Sequence, residues 1–218
     1  MQSSIAQLLV LAVIAVFLIL RLRDVLGTRG GYEPKTDESR RAARPNLEVV
    51  DGGLKPDADI AEHTDPDGPA GRALARMKVA EPSFNVSEFL GGARGAYEMI
   101  LMAFERGELA DIKPFLSDDV YTAFASVVES RADQGLTIDA DFIGIRDLAL
   151  ADASYDDDAK LAQIDVRFGG ELTYVVRDRA GDIIEGDPKQ VKRQRDVWTF
   201  SRVMGSDDPN WQLSATGE

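Results

Sequence analysis

The sequence predicts an α+β domain that follows an N-terminal transmembrane helix and a flexible tether. Residues 1–20 contain no charged side chain, and residues 28–80 contain five of the nine prolines but a single aromatic residue, Tyr32. From residue 81 onward, apolar residues first recur with a helical period of 3.6 and then alternate with a period of two. We therefore divide the chain into an anchor with a basic flank (1–27), a tether (28–80) and a globular domain (81–218).

The anchor prediction depends on the run from Ile5 to Leu20, which is apolar apart from Gln7. A bilayer core of ~30 Å needs about 20 helical residues, so residues 2–20 are near the short end of a span. A cleavable signal carries its basic residues before the apolar run, whereas Arg21 and Arg23 follow it here. By the positive-inside tendency, we expect a single-pass protein of the inner (cytoplasmic) membrane whose C-terminal domain faces the cytoplasm.

The tether prediction follows from composition. A stretch rich in proline, glycine and mixed charge buries too little apolar surface to offset the entropy of ordering it. As a coil of about 50 residues, it would have a root-mean-square reach of ~40 Å. Its last part places Leu74 and Met77 at helical spacing among basic residues. Two interpretations stay open for this part: a frayed lead-in to the domain, or a contact with anionic headgroups.

Two helices are predicted at the start of the domain. The first begins at Asn85, which with Glu88 forms a capping-box pattern, and ends at Gly107. The second begins after Ser117 and ends at Gly135. The apolar residues at helical spacing on the second helix are Val120, Tyr121, Phe124, Val127 and Val128. We expect each helix to bury one face.

The first of these helices also contains Gly91, Gly92 and Gly95. Each glycine costs roughly 1 kcal/mol relative to alanine in a helix interior. We expect this cost to be accepted because another backbone approaches closely. A phosphate-binding loop is not indicated, since no strand precedes the glycines and the apolar period continues through them.

Strand patterns occupy the rest of the chain. Alternating apolar residues predict antiparallel strands over Phe142–Leu150, 162–168, 172–176, Val197–Val203 and 211–215. Helices followed by about four consecutive strands indicate an α+β domain in which two to three helices pack on one face of a curved antiparallel sheet.

Residue types that support catalysis or metal binding are scarce. The sole histidine, His63, lies in the predicted tether, and the chain has no cysteine. The domain thus has neither a histidine base nor a His/Cys metal cluster, and we expect no enzyme activity, cofactor or metal. From residue 81 there are 14 basic and 27 acidic residues, a balance that makes nucleic acid an unfavourable partner.

A local basic cluster stands out against this acidic background. It consists of Lys189, Lys192, Arg193 and Arg195. Strand alternation would place Arg193 and Arg195 on one face. Two interpretations stay open: a solvated face that protects a sheet edge, or a contact for anionic phospholipid or an acidic partner.

Several motifs of the domain occur in an order typical of one family. They are the run Phe89–Ile100, Ala103-Phe104 with Gly107-Glu108, Pro114–Leu116, Val120-Tyr121 with Phe124, Arg195–Phe200 and Asp208–Leu213. In these motifs residues 83–216 resemble the Tim44-like domain family. The resemblance implies an α+β cone related to the nuclear-transport-factor-two (cystatin-like) superfamily, with a curved antiparallel sheet and a large apolar pocket.

The resemblance also implies a function. It implies a membrane-associated adaptor that contacts lipid and holds partner proteins near the inner membrane, as in protein transport, and it implies no reaction. A transmembrane span and a short tether stand where mitochondrial members carry chaperone-binding and translocase-binding segments, so chaperone docking and protein import are not carried over. The implied pocket lining in this chain is Phe89, Ala93, Tyr97, Ile100, Phe124, Val128, Trp198, Phe200 and Trp211.

Three functional hypotheses remain open from the sequence. The first is an adaptor that recruits proteins to the inner membrane. The second is a protein that binds lipid or another hydrophobic ligand in the pocket. The third is a pocketed enzyme such as an isomerase or dehydratase, which would need a buried Asp, Tyr or Arg converging on the pocket floor.

Overall fold

The structure is a computed structural model that describes residues 57–217. The predicted anchor, with Arg21 and Arg23, and the first part of the predicted tether lie outside the described residues. Within residues 57–217, no helix is both long enough and apolar enough to cross a bilayer.

The described residues form helices followed by strands, which confirms the predicted α+β class. The helices are α1 (Ala58–His63), α2 (Pro69–Ala80), α3 (Val86–Arg106) and α4 (Asp118–Gln134), with a short 3₁₀ turn at Lys113–Phe115 before α4. The strands are β1 (Thr137–Asp156), β2 (Leu161–Arg177), β3 (Ile183–Val203) and β4 (Gln212–Gly217). They form one antiparallel sheet in the order β1-β2-β3-β4.

The sheet has two different faces. Along β2, Ala162, Ile164, Val166 and Phe168 are fully buried, and we call the face they share the helix side because α3 packs against it. The alternate residues Gln163, Asp165 and Arg167 point to the opposite face, which we call the outer side.

The ends of α3 and α4 confirm the predicted caps. At the start of α3, Asn85 Oδ1 accepts a hydrogen bond from the Glu88 amide at 2.8 Å, and Gly107 ends the helix with φ 76°. At the start of α4, Ser117 Oγ accepts from the Val120 amide at 3.3 Å, and Gly135 ends that helix with φ 69°. Both glycines occupy the left-handed region, which disfavours residues with a Cβ.

Residues 57–80 differ from the predicted tether. They form α1 and α2, and Ile60, Leu74 and Met77 are buried in the core of the domain. The average composition of this stretch did not indicate the two helices, because only a few apolar residues at helical spacing contact the core. The structure gives Leu74 and Met77 a third role that the sequence interpretation did not include, as buried core residues.

A polar clasp holds α1 against the start of α3. Asp59 accepts hydrogen bonds from the amides of Val86 and Ser87, at 2.8 and 3.0 Å, and pairs with Lys78 of α2 at 2.7 Å. Burial opposes ionisation of Asp59, but the bonds from Lys78 and the two amides outweigh it and hold its pKa below the ordinary value. The carboxylate thereby satisfies free N–H groups at the N-terminus of α3.

The strands are longer than predicted. β2 continues through Gly169-Gly170, where the sequence suggested an interruption, and a Cβ at Gly170 would lie 2.8 Å from the Tyr97 hydroxyl. β3 begins at Ile183, so the whole basic cluster lies within a strand rather than at the entry to one.

The predicted buried stripe on α4 is only partly present. Val120 is buried, whereas Tyr121, Phe124 and Val128 are partly buried against the core. Val127 is 42 % exposed, so the prediction was wrong for this residue. The helix contacts the rest of the domain along a narrower strip than a fully packed helix would.

Candidate functional site

An open apolar groove runs along α3, where its exposed glycines meet the edge of the aromatic core. Its volume is about 460 Å³, and we call it the α3 groove. Its lining residues are Glu88, Phe89, Gly91, Gly92, Ala93, Gly95, Ala96, Met99, Phe115, Phe200, Pro209, Asn210 and Trp211.

Three glycines form the floor of the α3 groove. A Cβ built at Gly91, Gly92 or Gly95 would meet no atom within 4 Å. The close backbone approach expected from the sequence is therefore not made by any described residue. The three glycines leave these three positions of α3 without a side chain at a cost of roughly 1 kcal/mol each.

Aromatic side chains form one wall of the groove. The ring of Trp211 lies 4.7 Å from that of Phe89, which in turn packs edge-on to Phe200 at 5.9 Å. Arg202 lies beside Trp211, with its guanidinium 6.0 Å from the ring, and Glu81 holds Arg202 through bonds of 2.8 and 3.0 Å. Such packing fixes the wall in place before any ligand arrives.

The structure separates the nine residues of the predicted pocket. Phe89, Ala93, Phe200 and Trp211 line the α3 groove. The remaining residues lie elsewhere: Tyr97, Ile100 and Trp198 are buried in the core, Phe124 packs on Phe104, and Val128 lines a separate cavity of about 410 Å³.

A polar network lies within the aromatic core. The Tyr97 hydroxyl donates to Asp196 Oδ2, and Gln194 Nε2 donates to both, at 2.9 and 3.0 Å. The Tyr97 ring is fully buried and stacks on Phe168 at 4.4 Å. Burial, reinforced by the Asp196 carboxylate, raises the pKa of Tyr97, so the hydroxyl stays protonated at neutral pH.

The enzyme hypothesis required a buried Asp, Tyr or Arg converging on a pocket floor. Tyr97 and Asp196 do meet, but neither residue lines the α3 groove, the 410 Å³ cavity or a third, polar cavity on the outer side. The hydrogen bonds satisfy a tyrosine that is otherwise surrounded by aromatic rings, as a buried hydroxyl requires.

The 410 Å³ cavity lies between the C-terminal end of α3 and α4. Burial raises the pKa of Glu105 in its lining, and the positive charges of Arg131 and Lys192 partly offset this effect. Arg131 lies 3.5 Å from the Glu105 carboxylate and covers the Phe104 ring at 4.5 Å. The arginine is thus engaged on both sides, by a carboxylate and by an aromatic face.

The structure divides the predicted basic cluster between the two faces of β3. Lys192 lies on the helix side, 4.4 Å above the Tyr174 ring. Arg193 and Arg195 share the outer side, as alternation predicts, because they pair with Glu171 and Gly169 of β2. Lys189 is exposed in a stretch of β3 where the register with β2 shifts.

Two residues that the sequence analysis missed extend this cluster. Arg146 and Arg193 both donate through Nε to Glu171 Oε1, at 2.6 and 2.9 Å, which lowers the pKa of that carboxyl. Arg167 lies on the same outer side of β2. Their separation in sequence hides the cluster, and only the strand register could have revealed it.

Metal-ligating groups do not cluster in residues 57–217: no set of three or more His, Cys, Asp or Glu side chains could hold an ion there. His63, the one histidine, forms a hydrogen bond of 2.8 Å with Ser87 Oγ.

Comparison with known proteins matches most of this domain to one family. The profile of the Tim44-like domain matches residues 70–218, beginning within the first turn of α2. The chain is 26 % identical over 188 residues to the human mitochondrial import inner membrane translocase subunit TIM44, covering 84 % of this chain and 39 % of that protein. It is 21 % identical over 194 residues to TIM44-1 of Arabidopsis thaliana, covering 84 % of this chain and 40 % of that protein.

The chain thus spans about two-fifths of the length of the curated relatives it matches. Among solved structures, the intermembrane space region of the chloroplast protein ARC6 covers 53 % of this chain and 82 % of its own, at 14 % identity and a TM-score of 0.36, which establishes no shared fold. The profile match accounts for α2, α3, α4 and all four strands. This chain belongs to the Tim44-like domain family.

Proposed function

We propose that this chain is a membrane-anchored adaptor: residues 1–27 hold it in the inner membrane, and its cytoplasmic domain binds a partner protein in the α3 groove. Family membership supports this proposal, since the relatives are named as subunits of an inner-membrane translocase. The observation that carries it is the glycine floor of the groove, which no described part of the chain covers.

The chemistry of the groove suits a segment of polypeptide. Glycines permit a second backbone to approach α3 closely, and the aromatic wall of Phe89 and Trp211 offers a rigid apolar surface. Met99 is 39 % exposed at the groove and can adapt its shape to a partner side chain. An exposed apolar surface flanked by charged residues is typical of an interaction site.

Blocking the groove tests the adaptor function. A Gly95→Leu variant fills the floor, and the matched control Glu98→Leu adds the same side chain to an exposed position of α3 outside the lining. We expect quantitative affinity capture from detergent extracts to recover the same partner with the wild type and Glu98→Leu, and to lose it with Gly95→Leu. Equal recovery with all three proteins, or no reproducible partner at all, would contradict the proposal.

The membrane anchor requires a separate experiment. The full chain and a chain without residues 1–27 are expressed in bacterial cells, and membranes are washed with alkaline carbonate. We expect the full chain to remain in the membrane fraction and the shortened chain to be released. Retention of both, or release of both, would contradict the anchor. Protease added to intact spheroplasts would then show whether the domain faces the cytoplasm.

A lipid or another hydrophobic ligand is the second candidate for the α3 groove. Its volume of about 460 Å³ falls within the ~300–1,000 Å³ typical of ligand sites, and the lining is mainly apolar. Native mass spectrometry of protein purified from its own membrane would then show a retained lipid in the wild type and none in Gly95→Leu. A wild-type mass without any adduct would exclude this candidate under those conditions.

A further inference from the structure

Four arginines lie together on the outer side of the sheet, and we call them the arginine patch: Arg146, Arg167, Arg193 and Arg195. Strand register brings the last three together, because Arg193 and Arg195 of β3 lie opposite Glu171 and Gly169, the next two alternate residues after Arg167 on β2. Arg146 reaches the patch from β1 through Glu171. The side chains of Arg146 and Arg193 are 64 % and 74 % exposed even with this bond in place.

One carboxylate already occupies the patch. Glu171 is 8 % exposed, and its Oε1 accepts from two guanidinium groups. Two of the four guanidinium groups thus share the Glu171 carboxylate, and no bond to it is made by Arg167 or Arg195. Guanidinium groups bind carboxylates through paired, charge-assisted hydrogen bonds, so the remaining donors suit further carboxylates.

We propose that the arginine patch binds an acidic segment of a partner protein, with Glu171 acting as an internal competitor for the same guanidinium groups. Gly169 lies between Asp147 of β1 and Arg195 of β3, and the Asp147 side chain covers it, since a Cβ at Gly169 would lie 3.1 Å from Asp147 Oδ2. β4 pairs with β3 only from Val197 to Ser201, so no strand of residues 57–217 lies beside Arg193 and Arg195 on that edge. A segment can therefore reach both from the open side.

The surroundings of the patch favour a peptide over a membrane surface. The same outer side carries aspartates on β1 and β2, namely Asp139, Asp141, Asp147, Asp152 and Asp165. A plane of anionic headgroups would meet these carboxylates together with the arginines and be repelled by them. A narrow acidic segment that approaches along the open edge of β3 meets Arg193 and Arg195 before it reaches the aspartates of β1 and β2, and local complementarity of this kind confers specificity.

The inference rests on the proposed adaptor function only in assigning the acidic segment to a partner protein. The test uses the full chain in neutral detergent and a fluorescent ten-residue polyglutamate peptide, so it does not depend on groove binding or on partner capture. We expect peptide binding that weakens as salt rises. The Arg193→Gln/Arg195→Gln variant should bind at least about tenfold more weakly, and the remote control Arg94→Gln should bind as the wild type does.

A Glu171→Gln variant should bind the peptide several-fold more tightly, because two guanidinium groups lose their internal acceptor. A merely structural role of Glu171 would not produce this gain. Equal binding by wild type and the double arginine variant would overturn the inference. The inference would also be overturned if the wild type bound phosphatidylglycerol vesicles but not the peptide, and the double variant lost this vesicle binding. A change from dimer to monomer in that variant without peptide binding would overturn it as well, in favour of a second copy.

Discussion

The two faces of the β-sheet are made from alternate residues of the same strands, yet they have opposite chemistry. On the helix side of β2, Ile164, Val166 and Phe168 are fully buried, and the Tyr97 ring of α3 stacks on Phe168. On the outer side, Asp165 and Arg167 meet solvent and neighbouring charges. The fold is determined on one face, which leaves the other free to vary for recognition.

The helix α3 repeats this division within a single element. Its Leu90, Tyr97 and Ile100 are buried in the core, whereas Gly91 and Gly95 lie on the exposed side that forms the groove. If the division holds, substitutions on the buried faces should change the free energy of unfolding. Substitutions on the exposed faces should change binding.

The largest effect should come from truncating an aromatic ring on the helix side. Phe168→Ala removes the ring that stacks on Tyr97 at 4.4 Å and contacts Trp198, so the free energy of unfolding should fall by about 3–5 kcal/mol. Its strand neighbour Arg167→Ala, on the outer side, should change it by less than about 0.5 kcal/mol. Urea unfolding followed by tryptophan fluorescence measures both, and similar losses for the two would abolish the distinction between the faces.

A smaller loss is expected at the clasp between α1 and α3. Asp59→Ala removes the acceptor for the amides of Val86 and Ser87 and leaves Lys78 with Asp57 alone, which should cost about 2 kcal/mol of unfolding free energy. Asp67→Ala, an exposed acid in the loop before α2, is the control and should cost little. Urea titration distinguishes the two, and equal midpoints would show that the Asp59 hydrogen bonds contribute nothing to the stability of the domain.

The same carboxylate gives stability a pH dependence. The pKa of Asp59 is lower in the folded chain than its ordinary value of 3.8, so its contribution is complete above that value. It is lost as the pH falls below about 4, because the unfolded chain then takes up a proton that the folded chain does not. Asp59→Asn should show a shallower loss of stability between about pH 4 and pH 2 than the wild type does.

Removing one hydroxyl from the aromatic core should have the next smaller effect. Tyr97→Phe removes a hydrogen-bond donor to Asp196 and an acceptor for Gln194 in a half-buried site, and we expect a loss of about 1–2 kcal/mol in the free energy of unfolding. Tyr121→Phe, whose ring is only partly buried on α4, is the control. A loss near zero in urea unfolding of Tyr97→Phe would show that water replaces the hydroxyl at no cost.

Local signals in the sequence predicted the part of the fold that depends on neighbours in the chain. The caps at Asn85 and Ser117 and the left-handed glycines at 107 and 135 give both helix ends, because each end is fixed within a few residues. The order of helices before strands follows from the change of period. The role of α1 and α2 was not predictable from composition, since it depends on Asp59 reaching amides 27 and 28 residues away.

The candidate sites were less accessible to sequence reasoning. Periodicity cannot distinguish a residue that lines a groove from one that is fully enclosed. Both Phe89 and Tyr97 were therefore predicted to line the pocket, although only Phe89 lines the groove. Alternation did place Arg193 with Arg195. It could not add Arg146, because that residue joins the patch through a register shift in β1, between Ile145 and Asp147.

The smallest predicted effect is an increase, rather than a decrease, in the free energy of unfolding, and it concerns the exposed side of α3. Gly95→Ala places a Cβ where no atom lies within 4 Å, so it should raise the free energy of unfolding by about 1 kcal/mol through helix propensity alone. The same substitution at Gly170 should lower it, because the new Cβ would lie 2.8 Å from a Tyr97 hydroxyl that its own hydrogen bonds hold in place. Thermal unfolding measures the stability change of both variants.

If Gly95→Ala stabilises the chain and weakens partner capture, then the glycine is retained at a cost to stability because the groove requires it. If it destabilises the chain, the space beside Gly95 is not free in the folded protein.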